Sequence, residues 1–107
     1  MIYELRVYEA MPGKLPALNE RFAQHTLGFF KKHAINVVGF WTEDIGTSNK
    51  LVYILSYQSL ADREKKWSTF QADPDWQKLR SETEKSGPLV ARVNNAILRP
   101  TAYSPLQ

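Results

Sequence analysis

Val37-Val38-Gly39-Phe40-Trp41-Thr42-Glu43, then Gly46-Thr47-Ser48-Asn49, then Leu51-Val52-Tyr53-Ile54-Leu55-Ser56-Tyr57 is the stretch from which the fold is read. Two runs rich in β-branched and aromatic residues flank a turn cluster, which is the signature of an antiparallel hairpin. Side chains alternate across a strand, so Val38, Phe40, Val52 and Ile54 form one apolar set. Val37, Trp41, Leu51, Tyr53, Leu55 and Tyr57 form the opposite one. Both faces of this hairpin need cover.

Upstream, Tyr3-Glu4-Leu5-Arg6-Val7-Tyr8 alternates strictly, with Tyr3, Leu5 and Val7 on one side and Glu4, Arg6 and Tyr8 on the other. Met11-Pro12-Gly13 breaks the strand, and Lys14 to about His33 reads as a helix with Leu15, Leu18, Phe22, His25 and Phe29 on one stripe. Beyond the hairpin, Ser59 with Asp62 three residues on caps a second helix that runs to about Phe70. Asp73-Pro74 caps a third, short helix with Trp76 and Leu79 on its apolar side, and Gly87-Pro88 ends it. Ala91 to Arg99 is the last strand, before a Pro-interrupted tail. The order is β-α-β-β-α-β.

In a chain of 107 residues this order predicts one α+β domain spanning 1–107, a four-stranded antiparallel sheet with its helices on one face. The helices cover only one of the hairpin's apolar sets. Leaving four to six large apolar side chains in water forfeits roughly 1.5–3 kcal/mol each, a total comparable to the net stability of a small domain. A homodimer is therefore expected, with two sheets face to face and a cavity enclosed between them. Glu4, Arg6 and Tyr8 are expected to point into that enclosed space.

Composition removes several function classes. No apolar run reaches the roughly 18 residues of a membrane span, and no signal-peptide core is present, so a cytoplasmic chain without membrane contact is expected. Without cysteine there is no thiol nucleophile, disulfide or thiolate metal site. The net charge of +3 comes from 14 basic residues interleaved with 11 acidic ones, unlike the clustered charge of a nucleic-acid binder. His25 and His33 are the only histidines, and eight residues apart on a helix they stand roughly 12 Å from each other. No metal site is expected, and isolated glycines make no phosphate cradle, so no cofactor is expected either.

The candidate ligand-binding residues are Glu4, Arg6, Tyr8, His25 and Trp41. Glu4 and Arg6, two apart on one strand face, form a clamp for a ligand carboxylate with Arg6 as its anchor, or pair structurally with Arg92 and Glu43 on neighbouring strands. His25, between Phe22 and Phe29 on the predicted stripe, is the candidate general base; its alternative is a buried histidine satisfied by a backbone carbonyl or Tyr hydroxyl. Trp41, Trp67 and Trp76 wall a pocket for a flat ligand or simply pack the core. Tyr8, Tyr53 and Tyr57 are possible hydroxyl donors to a ligand oxygen, and Arg63 is assigned a structural role.

Several landmarks, in order, resemble the NIPSNAP family: Tyr3-Glu4-Leu5-Arg6, Pro12-Gly13-Lys14-Leu15, Arg21-Phe22 through His25-Thr26-Leu27, and Gly39-Phe40-Trp41-Thr42. Ser59 through Glu64, Ala72 through Gln77, Gly87-Pro88-Leu89-Val90 and Pro100-Thr101 extend the resemblance over nearly the whole chain. It implies a ferredoxin-like βαββαβ unit that dimerises through its sheets as a dimeric α/β barrel, and it supplies no activity. Ala34 departs from the glycine the family favours after the first helix. Three function classes follow. The first is a homodimeric barrel binding a small molecule; the second, a cofactor-independent monooxygenase or isomerase on an aromatic or polyketide-like substrate, uses His25 as base. The third is a protein-interaction module without a ligand, its barrel packed shut by Phe40, Trp41 and Ile54.

Overall fold

A computed structural model describes residues 1–107. Strand β1 is Ile2–Ala10, β2 Asn36–Thr42, β3 Lys50–Tyr57 and β4 Val90–Leu98. Helices α1 (Leu15–Arg21) and α2 (Leu27–Lys32) flank a π-helical turn at Phe22–Thr26, and α3 (Leu60–Ala72) and α4 (Pro74–Thr83) lie between β3 and β4. The four strands form one antiparallel sheet in the order β2-β3-β1-β4, the α+β ferredoxin-like arrangement expected from the element order. Ser59 accepts from the Asp62 amide at 3.1 Å, as its cap position predicts. Asp73 accepts from the Asp75 amide at 2.9 Å, with Pro74 in the first turn of α4.

Register decides which face is covered. Opposite Arg6 stands Tyr53, opposite Glu4 Leu55, and opposite Tyr8 Leu51, so the charged side of β1 shares its face with the buried hairpin residues under the helices. Tyr3, Leu5 and Val7 lie on the other face with Ser56, Ile54 and Val52. This corrects the expected placement of Glu4, Arg6 and Tyr8 between two subunits. Alternation defines two faces of a strand, but α3 selects the one it covers by supplying Arg63 and Trp67 as partners for those polar groups.

A bulge in β2 between Val37 and Gly39 re-sorts the hairpin. Phe40 stacks on Tyr53 with ring centres 4.8 Å apart, under the helices, while Trp41 pairs with Val52 on the open face. The predicted sets thus exchange these two members, because one extra residue flips the alternation beyond it. Trp41 is 51% exposed and lies over Gly39, where an added Cβ would come within 2.8 Å of the indole.

The first helix differs from its predicted stripe for a related reason. Within the π turn the Leu27 amide donates to the Phe22 carbonyl, five residues back, and each turn takes up more residues than an α-helical one. The buried series is therefore Leu18, Phe22, Thr26 and Phe30, and His25 is exposed. Thr26 Oγ1 donates to the Arg21 carbonyl at 3.3 Å inside this turn. Arg21 and Phe22, three and four residues after Leu18 and so on the same helix face, are both buried at the start of the turn. At the helix end the Ile35 amide bonds the Phe30 carbonyl at 2.8 Å and the Ala34 amide the Lys31 carbonyl at 3.2 Å, a Schellman closure with Ala34 at φ +55°. That left-handed position is the one glycine favours, so alanine there carries a cost of about 1 kcal/mol.

Candidate functional site

Glu4 is the fixed point of the site. It is fully buried, and its carboxylate accepts from Arg6 Nη1 at 2.9 Å, Arg63 Nε and Nη2 at 3.0 Å each, and Asn95 Nδ2 at 2.9 Å. Burial alone would raise its pKa, yet the hydrogen bonds from Arg63 and Asn95 and the charges of Arg6 and Arg63 hold it below the ordinary carboxylate range. Arg92 and Glu43, the neighbouring-strand partners considered from sequence, take no part. Asn95 on β4 and Arg63 on α3 stand in their place, the latter in the structural role expected for it.

Arg6 extends the network toward the helices. Its Nε donates to the Tyr53 hydroxyl at 2.8 Å, its Nη2 to the Tyr8 hydroxyl at 3.3 Å, and its guanidinium sits 4.3 Å from the Trp67 ring centre. Burial lowers the tendency of Arg6 to hold its proton, but the neighbouring Tyr53, Tyr8 and Glu4 raise its pKa overall. Tyr53 has no exposed surface, and burial pushes its pKa well above the usual phenol value. Its proton therefore stays on and goes to the Tyr8 oxygen, 2.8 Å away. Having accepted from Arg6 and Tyr53, Tyr8 keeps its own proton unspent. No protein acceptor takes it.

That hydroxyl borders a cavity of about 210 Å³ between the sheet and the helices. Arg6, Tyr8 and Val93 form its sheet side, Phe22, Thr26 and Phe30 line it from the first helical layer, and Trp67 and Phe70 close it from α3. Arg21, Trp76, Arg80 and Glu84 complete the wall near α4. Aromatic rings dominate, with Phe30 and Phe70 at 5.3 Å and Phe70 and Trp76 at 4.8 Å between centres.

Of the five residues singled out from sequence, the structure brings together Glu4, Arg6 and Tyr8. His25 lies on the outer side of the helix beside Lys32 and Asp75, and Trp41 on the opposite sheet face. Trp67 and Trp76, weighed from sequence as pocket walls, line the cavity, whereas Tyr53 is buried behind it and its hydroxyl donates to Tyr8 instead of facing a ligand. Tyr57 is buried with its hydroxyl unpartnered and does not line the cavity. Arg21, Thr26, Arg80, Glu84 and Asn95 were not legible as site residues. No group of three or more His, Cys, Asp or Glu side chains comes together as a metal site would require, and no helix is long and apolar enough to cross a membrane.

The fold and site define a ferredoxin-like α+β domain with a polar-and-aromatic cavity under its helices. The NIPSNAP family model matches residues 3–105, and the chain belongs to the NIPSNAP family. A Dictyostelium discoideum NipSnap homolog is 25% identical over 107 residues, and the chain spans 40% of that protein's length. An Agrobacterium tumefaciens NIPSNAP family protein with unknown function is 30% identical, with a TM-score of 0.88 over 100% of this chain and 94% of that one. An uncharacterised NIPSNAP domain protein from Burkholderia xenovorans, 27% identical, superposes with a TM-score of 0.85 over 98% and 99% of the two chains. A Nitrosomonas europaea protein provisionally described as an antibiotic biosynthesis monooxygenase shares the fold, at a TM-score of 0.64 and 10% identity over 94% of this chain and 98% of that one.

Proposed function

We propose that this NIPSNAP-family chain is a cytoplasmic, homodimeric small-molecule-binding protein that holds a compact aromatic ligand in the cavity between sheet and helices. The observation carrying this is Tyr8, whose hydroxyl accepts from Arg6 and Tyr53, has no protein acceptor of its own, and belongs to a side chain that lines an aromatic-walled cavity. Pockets that bind small molecules combine such apolar walls with a few placed polar groups. The volume suits one ring: an engineered apolar cavity of about 150 Å³ takes up benzene.

A thermal-shift screen of small planar aromatics bearing an acceptor oxygen tests this. A ligand at a hundred times its Kd stabilises by about 2.7 kcal/mol, which corresponds to a rise of roughly 10–20 °C for a domain of this size. Tyr8→Phe is expected to weaken binding about 2- to 13-fold, the value of one hydrogen bond. A screen without any hit, or hits that bind Tyr8→Phe and wild type alike, contradicts the proposal.

Filling of the barrel by Phe40, Trp41 and Ile54, which the interaction-module alternative requires, is not what supports these contacts: Trp41 and Ile54 lie on the open face, away from the cavity. The position of His25 likewise gives no support to its acting as base on a ligand there. For assembly, the supporting feature is the open sheet face, where Leu5, Val7, Val52, Ile54 and Trp41 form an apolar patch bordered at one end by Glu9, Lys50 and Arg92. Tyr3 at the other end donates to the Gln107 carbonyl at 2.8 Å, and the tail there shares a groove with Tyr3 and Ile54. Sedimentation is expected to give a species of twice 12.3 kDa at micromolar concentration, and Ile54→Asp a monomer. A monomeric wild-type chain overturns the dimer.

A further inference from the structure

Two donors on the α4 side of the cavity lack acceptors. Arg21 is 6% exposed; its Nη1 reaches Thr83 Oγ1 at 3.3 Å and stands 3.9 Å from Glu84 Oε1, but its Nε has no partner. Trp76, also 6% exposed, has an indole N–H with no partner. Both line the cavity, and the Arg21 guanidinium carbon is 5.7 Å from the Trp76 ring centre. Buried donors are nearly always paired, so two orphans on one wall indicate an acceptor that the protein itself does not provide.

Charge points the same way. The lining carries Arg6, Arg21 and Arg80 against Glu84, three positive groups and one negative, for a balance of +2. Behind Arg6, Arg63 is shared between Glu4 and the exposed Glu64, so Glu4 also offsets Arg6 and the uncompensated lining charge is concentrated at Arg21 and Arg80. Glu84 is shared, with Arg80 Nε at 3.3 Å, and leaves Arg21 incompletely neutralised. Burial lowers the pKa of Arg21, as expected for a cation short of counter-charge.

Resting on the assignment of this cavity as the ligand site, we propose that its ligand is a single-ring aromatic carboxylate, for which Arg21 and Trp76 turn so that Arg21 Nε and the Trp76 indole N–H, both closed off from the cavity in the structure, donate to it. A carboxylate has two acceptor oxygens in one plane, one for each orphan donor, and charge-assisted bonds of this type are the stronger class. Its ring lies among Phe30, Phe70 and Trp67, and the Tyr8 hydroxyl meets a further oxygen substituent on the ring.

Benzoate, salicylate and the uncharged isostere benzamide are the probes, titrated at constant ionic strength and followed in ¹H–¹⁵N spectra of the wild-type chain. The acids are expected to bind at least tenfold tighter than benzamide and to move the Trp76 indole resonance, with that of Trp41 unmoved. Arg21→Met is expected to lower benzoate affinity about tenfold and Trp76→Phe several-fold, with benzamide affinity falling less in both. Equal affinity for acid and amide, or an unmoved Trp76 resonance on benzoate binding, overturns the carboxylate assignment while benzamide binding keeps the cavity as a ligand site. Failure of all three probes to perturb any cavity resonance overturns both. The wild-type spectra decide the matter even if Arg21→Met does not fold.

Discussion

Glu4→Gln is expected to destabilise the chain by about 3–5 kcal/mol, the cost of removing one partner from a buried ion pair. Arg6 and Arg63 both converge on this carboxylate; Arg6 has no other carboxylate partner, and Arg63 has only the exposed Glu64 besides. The amide restores one acceptor but turns an NH₂ toward guanidiniums that can only donate. Since small domains are stable by only about 5–15 kcal/mol, urea denaturation will show most of the margin gone. The pH dependence supplies an independent signature. Glu4 is held below its unfolded pKa of 4.5, so its contribution is fully present above that pH and is lost as the pH falls through the folded value. Wild-type stability will decline on acidification below about 4.5 more steeply than that of Glu4→Gln. A loss under 1 kcal/mol in urea, with parallel acid profiles, is the result that sinks this account.

Phe30→Ala is expected to cost about 3–5 kcal/mol, the range for truncating a buried aromatic. Phe30 is 1% exposed and touches Phe22, Tyr53, Trp67 and Phe70, so it joins the first helical layer to α3 and to the sheet. Phe29, half-buried against Trp76 at 5.5 Å, supplies the control. An uninterrupted α-helix would carry the stripe from Phe22 to Phe29, whereas the π turn carries it to Phe30. Denaturant midpoints should therefore place Phe30→Ala well below Phe29→Ala. The reverse order would falsify the π-turn phase. Because Phe30 also lines the cavity, its truncation should enlarge the space available to a ligand while lowering stability.

These two residues mark the boundaries of the site. Glu4 orients Arg6, Arg6 orients Tyr53 and Tyr8, and the phenol chain delivers one hydroxyl proton to the cavity. On the opposite wall α1 places Arg21 beside Trp76. The cavity thus has fixed donors on two sides and rings between them. That arrangement suits binding of a flat anion, and none of it involves His25.

Element order, helix caps and strand alternation were legible in the chain because each is a local property. Ser59 with Asp62, Asp73 with Pro74, and the 2-residue period of Tyr3 to Tyr8 act within a turn or a strand of their own backbone. Glu4 and Arg6 stood out for the same reason, as charges on a strand whose neighbours are apolar. Which face those charges occupy was not local. It depends on Arg63, 59 residues away, and on Asn95, 91 residues away, which alone make burial of the carboxylate tolerable. His25 and Trp41 moved out of the site through single-residue slips, a π turn and a β-bulge, that change phase without leaving a clear compositional mark. Sequence by itself determined the β-α-β-β-α-β domain and its family; tertiary structure decided which side of β1 is inside, because a buried charge is stable only where distant donors converge on it.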